Sequence, residues 1–152
     1  MRQAGVPPRV LGYLGRALTY ELSAVQLYMT QARLVETWGM SEAAAQLRQE
    51  SVEEMKHADL IIGRMLELGA APGGSQLRPA AVGNSLESML IQDARFESEL
   101  VAFYREAVRE CRLMGNQAQQ DFFNRLLSEE SAHADGLQRW IQQVQTAEAG
   151  SA

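Results

Sequence analysis

The stretch Glu50–Asp59 has the sequence ESVEEMKHAD and places a glutamate, Glu54, three residues before a histidine, His57. Residues three apart on an α-helix lie side by side on one face, so a carboxylate and an imidazole at this spacing can bind the same metal ion. The same pair recurs later as Glu130 and His133, and the sequence has no other histidine. The chain therefore contains two Glu-x-x-His pairs and no histidine outside them.

A longer repeat joins each pair to a second glutamate. Glu21 precedes Glu54 by 33 residues, and Glu97 precedes Glu130 by the same 33 residues. A shift of 76 residues carries the first set onto the second, and it also carries Tyr28 onto Tyr104, Arg33 onto Arg109 and Gly39 onto Gly115. The pattern predicts two copies of one helix pair, each of which contributes two carboxylates and an imidazole.

The composition favours a single all-α domain. A chain of 152 residues is long enough for a sizeable core, and we predict one domain over residues 1–152 with an ordered bundle at about 7–145. Hydrophobic residues make up 46% and aromatic residues only 7%, with abundant Ala, Leu, Glu and Gln.

The charge and the cysteine count narrow the partners and the compartment. A net charge of -5 without a basic block argues against nucleic acid as the main partner and suits a protein that attracts cations. The lone Cys111 excludes an intrachain disulfide and fits a reducing compartment. The N-terminal residues lack the apolar core of a signal peptide and no stretch is long enough to span a membrane, so we predict a cytoplasmic protein.

Apolar periodicity predicts four helices. The first runs from Pro7 and Pro8 to Gly39, the second from Ser41 to Leu68, the third follows a cap at Ser85, and the fourth starts at about Gln117. The segment 70–84 is rich in Gly and Pro and is the one long break in the helical pattern. A connection of that length can cross a bundle, whereas the short turns at Gly39 and Gly115 join antiparallel neighbours. We therefore predict a four-helix bundle with one long crossover between helices two and three.

Each predicted helix presents one buried stripe, and the glutamates and histidines lie at mid-height on it. The stripes are Leu14, Leu18, Glu21, Val25, Tyr28, Ala32 and Val35 on helix one; Leu47, Glu50, Glu54, His57, Ile61, Met65 and Leu68 on helix two; Leu86, Leu90, Glu97, Val101, Tyr104, Val108 and Cys111 on helix three; and Phe123, Leu126, Glu130, His133, Leu137, Ile141 and Val144 on helix four.

Four buried carboxylates would be very costly unless cations neutralise them. No basic residue lies on the predicted stripes, whereas two divalent ions would cancel four negative charges. The oxygen and nitrogen donors suit iron or manganese better than a thiolate zinc site. Any one of these residues alone would more simply be a half-exposed glutamate or a core histidine, but the repeated spacing of all six argues for a metal centre.

The motifs resemble those of the bacterioferritins, and the likeness extends from about Val10 to Val144. It is carried by EMKHAD at Glu54–Asp59, by Glu21-Leu22, by Trp38-Gly39 and by Glu129-Glu130-x-x-His133. Two lone glutamates with two Glu-x-x-His pairs are also the general ligand set of ferritin-like di-metal proteins. The resemblance implies a ferroxidase that oxidises Fe(II) with dioxygen or peroxide and stores iron in a multi-subunit shell.

The resemblance also implies a role for each site residue. Glu21 and Glu97 would be terminal ligands, Glu54 and Glu130 would bridge two irons, and His57 and His133 would each bind one iron. Tyr28 matches a tyrosine near the centre in that family and could donate an electron, or it could simply be a hydrogen-bonded core tyrosine.

Helix two carries a second apolar row on another face, formed by Val52, Met55, Ile62 and Leu66 and interrupted by Asp59, and helix one offers Leu22, Val25 and Met29 on the same side. A second apolar stripe implies burial against a partner, so we predict a two-fold dimer through helices one and two. In bacterioferritins, the methionine that matches Met55 is an axial ligand of a haem b shared by two subunits. The alternative is that Met55 only fills the dimer interface, as methionines commonly do.

The chain departs from the family at several positions. Family members usually carry a fifth helix that lines the four-fold pores of a 24-subunit shell, whereas here only Thr146–Ala152 follows the bundle, a tail predicted to fray. Gln49 replaces a histidine that helps iron pass inward in some members, although Glu53 keeps a carboxylate next to it. Ile61 replaces a tyrosine found in some relatives. Without that fifth helix, either the complete shell does not form or its four-fold pores are wider.

Two other functions compete with iron storage. One is a soluble di-metal peroxide reductase of the rubrerythrin kind or a manganese catalase; the missing C-x-x-C module argues against the former. The other is a non-catalytic, haem-holding partner subunit in a shell with a second bacterioferritin subunit type. The intact set of six ligands argues against that reading, because a structural subunit has no need of buried carboxylates.

Overall fold

The computed structural model describes residues 5–150, which form four α-helices and no strand. The helices are α1 (Pro8–Thr37), α2 (Ser41–Glu67), α3 (Leu86–Leu113) and α4 (Gln117–Gly150). The chain divides between Ala80 and Ala81 into two compact units. One unit contains α1, α2 and the first part of the crossover, and the other contains α3 and α4. Among residues 5–150, no helix combines the length and the apolar content needed to cross a membrane.

A glycine in the left-handed conformation ends each of the first three helices. Gly39, Gly69 and Gly115 have φ values of 79°, 79° and 68°. At the end of α1, the N–H of Gly39 donates to the carbonyl of Glu36 at 2.9 Å and the N–H of Met40 donates to that of Val35 at 3.1 Å. These two bonds form a Schellman motif, and the same pair of bonds recurs at Gly69 and Gly115. The helix ends predicted at Gly39, at Leu68 and at the Gly115 turn are confirmed to within one or two residues.

The helices begin at the predicted positions, but not all of them are capped by the predicted residue. Ser85 caps α3 as predicted, because its Oγ accepts from the N–H of Ser88 at 3.1 Å. Ser41 is the first residue of α2 rather than its cap; Met40 holds that place, without a side-chain hydrogen bond. At α4, the Oδ1 of Asn116 accepts from the N–H of Gln119 at 3.2 Å, a cap that the sequence analysis missed.

The predicted stripes are mostly buried. Among their apolar members, Val25, Leu68, Val108 and Val144 are half-buried, and the others are buried. Val25 was predicted for both the buried stripe and the second face of α1, and it lies at the boundary between them. Its carbonyl accepts a hydrogen bond from Ser51 Oγ of α2 at 3.1 Å, so the two helices approach closely at this point.

The crossover, residues 70–84, has no regular secondary structure, as predicted. It contacts the middle of α1. The backbone N–H of Arg78 donates to the buried Ser23 Oγ at 3.1 Å. The Arg78 guanidinium lies over the ring of Tyr20, 5.0 Å from its centroid, and donates to the Tyr20 hydroxyl at 3.4 Å. A cation–π contact and two hydrogen bonds therefore hold the segment against α1.

The last helix is longer than predicted. We expected order to end at about residue 145, but α4 continues to Gly150; residues 151 and 152 of the tail predicted to fray lie outside the described part of the chain. Gln145 Nε2 donates to Glu87 Oε1 at the start of α3 at 3.1 Å. A hydrogen bond between the carboxyl groups of Glu148 and Glu87 raises the pKa of Glu148, and the charge of Glu87 adds to the effect. The hydrogen bond of Gln145 therefore holds the end of α4 against α3, which the apolar pattern alone did not indicate, whereas Glu148 and Glu87 repel each other when both are ionised.

Replacing Gly39 by alanine tests the helix stop. An alanine Cβ at this position would meet no atom within 4 Å, so the cost is the left-handed backbone itself. We expect Gly39→Ala to lower the free energy of unfolding by about 1 kcal/mol, measured by urea unfolding of the metal-free protein at one fixed protein concentration.

Gly12 provides the matched control, because it lies within α1 and a Cβ there also meets no atom within 4 Å. Gly12→Ala should raise the free energy of unfolding by about 0.5 to 1 kcal/mol. Equal effects of the two substitutions would contradict the role assigned to the Gly39 backbone.

Candidate metal centre

Three predicted ligands converge within the unit formed by α1 and α2. His57 Nδ1 lies 3.5 Å from Glu21 Oε1 and 4.0 Å from Glu54 Oε1. One ligand atom from each of the three residues lies within 4.8 Å of the others. Two atoms that each bind one ion at about 2.1 Å are separated by roughly 3 to 4 Å. The spacing of these atoms therefore suits ligands of a common metal ion better than a direct hydrogen bond.

The local sequence explains this convergence. The i, i+3 spacing sets Glu54 and His57 on the buried side of α2, and Glu21 lies among buried apolar residues of α1. All three are buried, and the side chains of both glutamates are fully enclosed. A buried carboxylate without compensation costs several kcal/mol, so a divalent cation would stabilise this cluster strongly.

The unit formed by α3 and α4 repeats the Glu–His pair on its second helix. His133 Nδ1 lies 3.6 Å from Glu130 Oε2 across one turn of α4, and Glu130 and Glu97 are both buried. The two imidazoles differ in exposure, since 19% of the His133 side chain is accessible against 4% of the His57 side chain. The repeated sequence motif therefore has a repeated structural counterpart, with the second histidine closer to solvent.

Two further acidic residues lie next to predicted ligands and were not assigned to the site. Glu50 is half-buried one turn before Glu54, and the two residues offer oxygens within 4.8 Å of each other. Asp93 is fully buried one turn before Glu97. The i, i+4 spacing was a signal for both. Asp93 was not predicted as a site residue because its counterpart in the 76-residue repeat is Ala17, which is apolar.

Tyr28 is buried in α1, two turns after Glu21. Its counterpart in the repeat, Tyr104, is a core residue whose ring packs against Phe103 and Phe123 with centroid distances of 5.5 and 6.3 Å. The burial of Tyr28 agrees with either predicted role, and its role as an electron donor stays a prediction.

Gln49, predicted to replace a family histidine, belongs to a small polar chain on α2. Gln49 Nε2 donates to Glu53 Oε1 at 2.8 Å, and Lys56 Nζ donates to the same oxygen at 3.2 Å. The Glu53 carboxylate is thus held by an amide and an ammonium group. The third departure, Ile61, is fully buried in the core of this unit.

The second side of the α1–α2 pair, the apolar face, is exposed in part, since its predicted members Leu22, Val25 and Ile62 are half-buried. Met29, Val52, Met55 and Leu66 have 54%, 44%, 51% and 59% of their surface accessible. A cavity of about 450 Å³ opens on this face and is lined by Met29, Arg33, Arg48, Ser51, Val52 and Met55. Exposed apolar surface of this kind marks a binding surface for a protein or a ligand.

Comparisons with known proteins agree with this architecture. The Ferritin-like domain family matches residues 11–147. The bacterioferritin of Rhodobacter capsulatus is 36% identical over 133 residues, which cover 88% of this chain and 83% of that protein. The bacterioferritin of Brucella melitensis is 34% identical over 131 residues, 86% of this chain and 81% of that one.

A solved structure supports the same relationship. The Rhodobacter capsulatus bacterioferritin structure, described as having a metal-free dinuclear site and a haem iron in a crystallographic special position, matches with a TM-score of 0.89. The match has 34% identity and covers 93% of this chain and 89% of the other. The prediction of an all-α, ferritin-like four-helix bundle is therefore confirmed. By family match, by sequence identity over most of its length and by fold, the chain belongs to the bacterioferritin family.

Proposed function

We propose that this protein oxidises Fe(II) to Fe(III) at an intrasubunit di-iron ferroxidase centre and is a subunit of an iron-storing shell. The observation that carries the proposal is the buried cluster of Glu21, Glu54 and His57, whose ligand atoms lie within 4.8 Å of one another. Glu97, Glu130 and His133 complete the proposed centre from α3 and α4. Membership of the bacterioferritin family supports the same reading.

The donor set fits two divalent iron ions. Four carboxylates carry four negative charges, two Fe(II) ions carry four positive charges, and neutral imidazoles leave this balance unchanged. Oxygen and imidazole ligands without a thiolate suit iron. Glu54 and Glu130, each followed by a histidine one turn later, would bridge the two ions, while Glu21 and Glu97 would each bind one.

The protein supplies position and charge to the reaction. Two Fe(II) substrates lose one electron each, and together they reduce one molecule of dioxygen or peroxide by two electrons. Binding both ions in one pocket delivers the electron pair to one oxidant instead of releasing single electrons to solvent. The buried carboxylates stabilise the added positive charge of the Fe(III) product more than that of the Fe(II) substrate, which favours oxidation.

A substitution at Glu54 separates catalysis from folding. We expect Glu54→Gln to slow aerobic Fe(II) oxidation by at least about tenfold, because a neutral amide is a poor bridging ligand. The metal-free variant should be more stable to unfolding by about 1 kcal/mol or more, because one buried charge has been removed. The rise of near-ultraviolet absorbance after addition of Fe(II) measures the oxidation rate, and urea unfolding measures stability.

Glu99→Gln is the control, since Glu99 is an exposed glutamate of α3 outside the proposed ligand set. This variant should oxidise iron at the wild-type rate. Equal oxidation rates for wild type and Glu54→Gln would show that the centre has been misassigned.

We also propose that the apolar face binds haem b between two subunits. Met55 offers a thioether on this face, half exposed and next to the cavity formed with Met29 and Val52. A thioether is a known axial ligand of haem iron, and apolar walls suit the porphyrin ring. When bound, the haem would supply one-electron redox chemistry.

Replacing Met55 tests the haem ligand. Met55→Leu keeps the volume and the apolar character but removes the sulfur, so we expect the Soret band of the haem-reconstituted protein to be lost or shifted. Met29→Leu is the matched control, because Met29 lines the same cavity and is similarly exposed. Identical spectra for wild type and both variants would exclude a methionine-ligated haem.

We further propose that the apolar face joins two copies of the chain, and that such dimers build a 24-subunit shell. The exposed residues Val52, Met55 and Leu66 form a surface suited to burial in a two-fold interface. A cytoplasmic location is part of this proposal and is supported by Cys111, the only cysteine, which is buried as a thiol.

The assembly is tested by mass. Sedimentation of the purified protein should give a particle of about 24 chains, and Leu66→Glu should reduce it to smaller species because a charge would be buried in the interface. A wild-type particle no larger than a dimer would contradict storage within a shell.

A further inference from the structure

The cavity beside Met55 is apolar at one end and positively charged at the other. Met29, Val52 and Met55 supply apolar side chains to its lining, and the other lining residues are Arg33, Arg48 and Ser51. Arg33 follows Met29 by one turn of α1, and Arg48 precedes Met55 by two turns of α2. Because the two helices run in opposite directions, both arginines are displaced toward the turn at Gly39.

A glutamate holds the two arginines in one ion cluster. The Arg48 guanidinium donates to Glu36 Oε2, and Arg33 lies 3.4 Å from the same oxygen. The hydrogen bond and the charge of Arg48 hold the pKa of Glu36 below its usual value, so that carboxyl is ionised at neutral pH. Two positive charges and one negative charge leave this end of the cavity with an excess of one positive charge.

We infer that Arg48, together with Arg33, binds the propionate carboxylates of haem, and that Glu36 holds Arg48 in place and gives way to them. This inference rests on the proposed haem site. Haem is a flat apolar ring with two carboxylates on one edge, so its polarity matches that of a cavity with Met55 in the apolar part and the arginines at one end. The charge complementarity favours this ligand over an apolar side chain of a second copy, which would leave the arginines without an added partner.

The exchange is physically easy because one carboxylate replaces another on the same guanidinium group. A guanidinium binds a carboxylate with two parallel hydrogen bonds and loses less conformational freedom when its orientation is already fixed. The pairs of Glu36 with Arg48 and Arg33 are partly exposed to solvent, where an ion pair is worth little, so a ligand carboxylate can replace Glu36 at small cost. Glu36 therefore both positions Arg48 and competes with the ligand for it.

The test compares haem with its dimethyl ester, which has the same ring but no carboxylates. Haem-free protein is titrated with each compound, and the Soret band gives the dissociation constant. We expect Arg48→Gln to weaken haem binding by about three- to tenfold and Glu36→Gln to tighten it by about threefold. Neither variant should change binding of the dimethyl ester. Arg125→Gln, a change at an exposed arginine of α4 that pairs with Glu129, should alter neither compound.

The possible outcomes separate this inference from the haem proposal. Equal haem affinity in wild type and Arg48→Gln would overturn the role of Arg48, and so would an equal loss for haem and its ester, which would mean that Arg48 only shapes the cavity. Met55→Leu is measured in parallel. If Met55→Leu loses haem while Arg48→Gln and Glu36→Gln do not respond, the arginine inference alone fails; if Met55→Leu binds haem with an unchanged spectrum, the haem site itself fails.

Discussion

The burial of four carboxyl groups is the constraint on which the rest of this structure depends. Glu21, Glu54, Glu97 and Glu130 are each buried on a helix face that is mostly apolar. Without compensation, each costs several kcal/mol, which is a large fraction of the total stability of a small domain. The long helices and their apolar stripes must offset that cost in the metal-free protein. The same unfavourable charge gives the proposed centre its affinity for cations, so the residues that weaken the fold are the ones that serve the function.

Because the helix pair is duplicated, the buried carboxyl groups are shared equally between two similar units. Each unit joins its helices by a short turn with a glycine in the left-handed conformation, and each carries a Glu-x-x-His pair on its second helix. Within α2 and α4 the geometry of the pair is set by one helical turn, and the Gly39 turn fixes the register of Glu21 against His57. The two copies differ at positions that do not set the geometry of the Glu-x-x-His pair. Met40 occupies the position at which the other unit has the capping residue Asn116. His133 is also more exposed than His57.

Most of the fold could be predicted from helical spacing, and the errors of the prediction have physical causes. The six proposed ligands and the four helices were found because period, glycine stops and the 76-residue repeat all pointed to the same arrangement. Asp93 was missed because a repeat argument finds only what both copies share. The extension of α4 to Gly150 was missed because it involves a side-chain contact of Gln145 with Glu87, far away in sequence. Val25 was assigned to two faces because the burial of a residue at the edge of a stripe depends on how closely the neighbouring helix approaches.

One turn of α2 combines the two chemistries proposed for this protein. Successive residues on a helix are rotated by 100°, so Glu54 and His57 lie within about 60° of each other, whereas Met55 is turned away from Glu54. The structure shows the consequence, because Glu54 and His57 are buried while half of Met55 is exposed. A shift of this turn by one residue would expose a carboxylate ligand and bury the thioether in the core. The order of residues in EMKH, more than their identity alone, therefore assigns one side of a rigid helix to iron ligands and the other to the surface proposed for haem and a second subunit.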